Sequence, residues 1–446
     1  LKVPGRLRAA QEALPSSTAT PSPKRRPPVP TMGRLSAGPV VIFGNFASVL
    51  LVNFFVYPAM LLTGQKAEED IMRRTGLVCM CVTILFDLAW ANAHPQPVPL
   101  AAAAAAAAAA AVVHAVHLLL AFGLLGLGGY SAGAAVVLQL ATGLPWILVG
   151  QVGTAFIVSS SRSPARYQIL AWITVMALGT LVTLLPWLRE MRALVVAVAS
   201  LPRAAVAAAL LLAGSASASG GGKKGDESPA GTGAEGQESA PSVALPRALR
   251  FAVFACNGST GEALNDMATD LKMRSALAAG DTTLTISYNV AVLLSMSLGY
   301  VSESLASGEG ARRFFGVLWG LCQICRGVGM EYLTQDRTWL MFVFVFFDKF
   351  TGPLGQAAID TALLALLRRG GGGSGPAGWP RLPATAMWTL RAAAERLERP
   401  LCQLLLLSLG AASAPQWIPT TLTALAVAFV VHTLRPGAAE GHAKAA

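Results

Sequence analysis

The chain has 446 residues, of which 54% are apolar and 13% charged, and its mean hydropathy is +0.55. A soluble domain carries about a quarter charged residues, so a water-soluble globular fold is excluded over most of the length. The formal charge of +11 is spread over short loops and chain ends rather than gathered on one face, which argues against a nucleic-acid surface and matches the basic loops that flank membrane spans.

Residues 1–31 are rich in Pro, Ser, Ala, Arg and Lys, with Glu12 the single acid. They read either as an organelle targeting segment or as a disordered cytosolic tail, with Met32 an alternative start; they lack the apolar run of a signal peptide. Residues 1–37 are therefore set apart from the membrane-spanning part of the chain. A first span is expected over 38–62. It is free of charge, and Asn45 and Asn53, eight apart, share one helix face. A mixed loop from Lys66 to Arg74 leads to a second span at 75–90, with Asp87 near its end, and a Pro-rich turn at 94–99. Residues 99–161 contain no Asp, Glu, Lys or Arg. A helix needs roughly 20 apolar residues to cross a bilayer, so this stretch holds two. The third span opens with the alanine run Ala101–Ala111 and ends in His114 and His117, spaced as packed imidazoles on one face rather than as a four-ligand metal site. The fourth is expected at 131–158, the fifth at 167–187, and the sixth at 194–212 with an interruption at Pro202 and Arg203.

Residues 214–246 are Gly-, Ser- and Ala-rich and read as a flexible cytoplasmic linker. It divides a first membrane bundle, 38–213, from a second, 247–434, with a tail at 435–446. In the second bundle the seventh span starts near Leu249 and the eighth covers 282–301. The ninth covers 314–328 and carries Cys322, Cys325 and Arg326, and the tenth covers 339–367. Residues 384–399 read as an amphipathic interfacial helix, followed by spans at 401–414 and 418–431. The expectation is an all-α polytopic integral membrane protein, with two bundles of about six helices each. Loop charges place both termini and the linker on the cytoplasmic side.

Ionisable groups at membrane depth are costly and are usually kept for function. Asp348 and Lys349 lie inside one apolar run and are followed by Gly352, Pro353 and Gly355. That segment reads either as a helix broken around a substrate or ion or as a loop between two shorter helices. Glu262, Asp266 and Asp270 recur at i, i+4 and i+8, beside Asn265, and line one helix face. This stripe is either a cation- or proton-handling surface or the solvated end of the seventh span. The pathway candidates are thus Lys349, Asp348, Glu262, Asp266, Asp270, Asn265, Arg326, Asn45 and Asn53. No Gly-x-Ser-x-Gly elbow, phosphate-binding loop or HExxH pattern occurs in the sequence. No catalytic residue, resident cofactor or metal site is expected.

Two span-rich halves joined by a linker resemble the major facilitator superfamily. The run Phe346, Phe347, Lys349, Phe350, Gly352, Gly355 is similar to the late helix of the glycoside–pentoside–hexuronide:cation symporters, and Gly308–Arg313 resembles the Gly-and-Arg loop of facilitator halves. The resemblance implies a non-enzymatic transporter of a small solute, working by alternating access with cation coupling as an option. It implies a central cavity between the halves, in a plasma or organelle membrane. The string Asn265–Asp270 also resembles the Asn/Asp motifs of membrane prenyltransferases. Such an enzyme, or a structural subunit of an organelle membrane complex, is the alternative.

Overall fold

The computed structural model describes residues 32–94, 96–127, 129–160, 163–219, 242–244, 266, 269–305, 309–329, 337–369, 381–393 and 396. The expected spans at 401–414 and 418–431, and Glu262 and Asn265, lie outside the described residues.

The chain begins with α1 (Met32–Leu51), which passes through a π-turn (Val52–Val56) into α2 (Tyr57–Leu62) without leaving the helical path. The cause of the π-turn is local. Pro58 has no N–H to donate to the carbonyl of Phe54, and the ladder shifts to i, i+5 bonding, with the Tyr57 N–H on the Val52 carbonyl. The helices α3 (Lys66–Ala93), α4 (Leu100–Ala121), α5 (Ala132–Ser160), α6 (Ala165–Leu184), α7 (Pro186–Glu190) and α8 (Arg192–Ser219) follow. Then come a helical stretch at 269–278 (α9), α10 (Thr283–Leu305), α11 (Glu309–Gly329), α12 (Thr338–Arg369) and a helix at 384–393 (α13). Ser242–Ala244 and Arg381–Pro383 form a short antiparallel ladder.

Seven helices among the described residues are long and apolar enough to cross a membrane. They are Ala37–Leu62, Lys66–Ala93, Leu100–Ala121, Ala132–Ser160, Ala165–Leu184, Arg192–Ser215 and Thr283–Ser302. Their outward faces carry Val78, Leu85, Phe86, Val112, Val137, Leu201, Leu212, Leu294 and Leu298 in exposed positions, while Glu69, Asp348, Lys349, Arg326 and Asp360 are buried. Apolar outside and ionised inside is the reverse of a soluble protein and is what lipid demands. The chain is an integral, multi-pass, all-α membrane protein.

Several boundaries differ from those expected. The charged run Lys66–Arg74 is the first two turns of α3, not a loop; Arg74 pairs with Asp70 at 2.8 Å along the helix, which supports it there. The chain turns instead at Thr63–Gln65, where Gly64 takes φ 83°. Pro202 does not interrupt α8, and Arg203 lies 4.8 Å from the Trp146 ring centre in a cation–π contact. Likewise Gly352, Pro353 and Gly355 neither break α12 nor form a loop in it; the helix runs unbroken through them. Gly355 is small for packing reasons, since a Cβ there would stand 2.7 Å from the Trp319 ring of α11. The helix α13, expected at the interface, is buried on most of its faces. Its Ala384, Met387, Trp388, Thr389 and Arg391 are buried, and it packs with Ile42, Ile157 and Leu363.

Among the first six spans α1 is central, packed on α5, α6 and α8, with α4 behind α5 and α8. The helix α6 turns its other side to α10 and α12, which with α11 form a second group. One apolar core, including Phe55, Met60, Ile169, Met176, Tyr288 and Val345, runs across that junction. At Gly179 the backbones come close: a Cβ there would stand 2.5 Å from the Phe54 carbonyl oxygen.

Candidate functional site

The junction between the two helical groups holds a cavity of about 360 Å³. Its wall on one side is α1 and the π-turn (Asn45, Phe46, Val49, Asn53, Phe54), with Thr154 of α5 and Gln168 and Trp172 of α6. Opposite stand Asp266 and Asp270, Tyr288 and Met296 of α10, Lys349, Gly352, Pro353 and Gln356 of α12, and Trp388 and Arg391 of α13. Aromatic faces and a few amides and charges make the lining mostly apolar with convergent polar groups, the usual make-up of a small-molecule site. The path from Val41 to Phe54 spans about 20 Å of helix, so the cavity is elongated along the spans.

A four-charge cluster closes one wall. Arg326 of α11 and Asp348 of α12 are completely buried and hydrogen-bonded to each other. Arg326 also meets Asp266 at 2.7 Å and donates to Thr269 Oγ1 at 3.0 Å. The Lys349 ammonium donates to Asp266 at 3.0 Å, stands 3.9 Å from Asp348, and faces the Trp172 ring at 5.6 Å from its centre. Among the described residues, two cations thus alternate with two carboxylates. Each charge is costly to bury alone, and the cluster removes most of that cost while leaving Lys349 and Asp266 on the cavity wall. Phe347, by contrast, is exposed. One turn of α12 therefore leaves phenylalanine on the outside and turns both charged groups inward.

The sequence candidates fall into three places. Lys349, Asp266, Asp270, Asn45 and Asn53 all line the cavity. Asp348 and Arg326 sit behind the wall and hold its charges in place. Asn45 accepts from Trp146 Nε1 at 2.9 Å, and Asn53 donates to the Val49 carbonyl at 3.0 Å. Glu262 and Asn265 lie outside the described residues. Of the two carboxylates beside Lys349, Asp266 makes the shorter contact.

Sequence reasoning missed Trp172, Tyr288, Gln356 and Arg391. The first three are ordinary residues of apolar segments and Arg391 lies in a segment read as an amphipathic helix, and only the packing of α6, α10, α12 and α13 brings them to one space. It also missed two sets of contacts that join the helical groups at opposite ends of the cavity. At one end buried Glu69 of α3 bonds to Arg274 of α9, and Lys66 donates to the Ala278 carbonyl at 2.7 Å. At the other, Arg166 donates to Tyr300 Oη at 2.6 Å and Ser163 to Asp360 at 3.2 Å, while Arg391, on the same side of the cavity as Asp360, pairs with it at 2.9 Å. His117, read as a packed imidazole, shares a hydrogen bond of 2.5 Å with Tyr130 Oη. Among the described residues no three His, Cys, Asp or Glu side chains converge as metal ligands.

No family model and no curated protein matches the sequence. Among solved structures, the chain is similar to a bacterial homologue of the iron transporter ferroportin in its outward-facing state, at 12% identity, a TM-score of 0.47, and coverage of 90% of this chain and 96% of that one. The same figures hold for the outward-facing crystal structure of that homologue with soaked iron.

Proposed function

We propose that the chain carries a small polar solute across a membrane through the cavity between its two helical groups, by alternating access. The observation that supports this is the position of the charge. Lys349 and Asp266, the costliest kind of group to place in a span, stand together on the wall of a space that both helical groups enclose. The contacts at either end supply the rest: a latch of Glu69 and Arg274 on one side, and of Arg166 with Tyr300 and Ser163 with Asp360 on the other. Opening one while the other holds is the physical content of alternating access. A major-facilitator-like arrangement of two six-span halves, with no enzymatic step, belongs to the same proposal.

A prenyltransferase would gather uncompensated carboxylates to hold magnesium and diphosphate. Here the Asp266 and Asp348 carboxylates are matched by Arg326 and Lys349. A purely structural subunit would have no reason to keep Lys349 facing a cavity.

The test is reconstitution of the full chain into liposomes with labelled sugars, amino acids, nucleosides and organic acids supplied outside. Uptake of one class is expected, and Lys349→Ala should abolish it with insertion unchanged. Normal uptake in well-inserted Lys349→Ala would overturn the assignment.

A further inference from the structure

Beside the large cavity, on the side of α9, lies a separate chamber of about 20 Å³. That volume suits one occupant the size of a water molecule or a bare ion. The chamber is lined by Asn53 from the π-turn, Asp270 of α9, and Thr285 and Asn289 of α10.

Asn289 is 1% exposed, and neither its amide oxygen nor its amide nitrogen has a hydrogen-bond partner. Flipping the amide changes nothing, since both atoms are in the same condition. Thr285 is 3% exposed, and its hydroxyl is also without a partner. A buried polar group in this state is costly, and two on adjacent turns of one helix facing one chamber form a prepared donor set. Asn53 adds a third neutral group. Its amide nitrogen is already spent on the Val49 carbonyl, so what it has left to offer is its oxygen. Asp270 adds a carboxylate. Arg274 also borders the chamber; one terminal nitrogen of its guanidinium is held by the buried Glu69 carboxylate of α3, while its Nε is without a partner.

We infer that this chamber binds a monovalent cation of sodium's class. One carboxylate with neutral amide and hydroxyl oxygens is the hard-oxygen set that suits such an ion, and it lacks the imidazole or thiolate that a transition metal would select. Its position carries the consequence. Asn53, Phe54, Asp270 and Met273 belong both to this chamber and to the large cavity. An ion seated here sets the walls of the cavity on two different helical groups. Coupling of that ion to solute movement rests on the transport reading above; the binding itself does not.

The experiment uses the full chain in lipid nanodiscs, without solute, at constant ionic strength, with N-methylglucamine replaced stepwise by sodium. The melting temperature is expected to rise saturably by several degrees with sodium, less with potassium. The rise should be lost in Asp270→Asn and in Asn289→Ala, and weakened in the near-isosteric Thr285→Val. Labelled sodium should be retained by the wild type and not by these variants. A melting temperature indifferent to which cation is present means that water alone occupies the chamber, and overturns the inference. So does a sodium effect that Thr285→Val and Asp270→Asn both leave intact. Sodium binding in a protein that moves no solute would sink the transport reading and leave this site standing.

Discussion

The Lys349 ammonium of α12 lies 3.0 Å from the Asp266 carboxylate, a contact between residues 83 apart in the chain. Arg326 holds the same carboxylate from the other side at 2.7 Å. Asp266 is thus shared by two cations, while Asp348 balances the count. Removing one member of such a buried set strands a charge, at a cost of about 3–5 kcal/mol. Arg326→Leu should therefore destabilise the protein more than Lys349→Met, because Arg326 is in close contact with both carboxylates, whereas Lys349 is close only to Asp266, stands 3.9 Å from Asp348 and has the cavity beside it. Thermal unfolding of the two variants in nanodiscs checks the order, and equal losses would contradict it.

The same cluster makes a prediction about pairs. Asp266→Asn with Lys349→Met removes one charge of each sign. The double variant should be less destabilised than the sum of the singles by about 0.5–3 kcal/mol, the range for residues in one network. A double-mutant cycle on unfolding reads it directly, and strict additivity would mean that the two groups do not sense each other.

The latch between Glu69 and Arg274 joins α3 to α9. Glu69→Gln should weaken that end of the cavity and raise its accessibility from that side. The exchange of the two charges, Glu69→Arg with Arg274→Glu, should restore part of the loss. Labelling of Asn53→Cys by a membrane-impermeant thiol reagent, on a background with the native cysteines replaced, gives the readout. Rates unmoved by Glu69→Gln would show that the latch closes nothing.

Gly179 and Gly355 are required by what they face. At Gly179 a methyl would meet the Phe54 carbonyl, which is backbone and cannot yield; at Gly355 it would meet the Trp319 ring. Gly179→Ala and Gly355→Ala should each cost about 1–3 kcal/mol by overpacking. Gly150→Ala, where nothing stands within 4 Å of the added atom, should be near neutral, and melting temperatures separate the cases.

Much of this was legible in the sequence because lipid imposes a simple rule. Uncharged runs such as 99–161 can only be spans, and α4 and α5 lie there. The rare charges within spans, Asp348 and Lys349, mark the interior for the same reason. Helix ends were less legible. Charges in the first turns of α3 read as a loop because composition does not distinguish a solvated helix end from a turn. Pro353 read as a break because the sequence does not reveal that Gly355 admits Trp319. The chamber at Asn289 was invisible: one asparagine in an apolar run takes its meaning from Asn53 and Asp270, which line the same chamber only once α10 is packed against α6.

The central claim is that the cavity beside Lys349 is a path open to water from each side of the membrane in turn. The most direct measurement places single cysteines at Gln168 and Gln356, which line opposite walls, in the full chain with its native cysteines replaced. Each is labelled by a membrane-impermeant reagent from either face of sealed vesicles. Both positions should be modified from both faces, and a transported solute should shift the two rates in opposite directions. Modification from one face only, or from neither, would contradict the account.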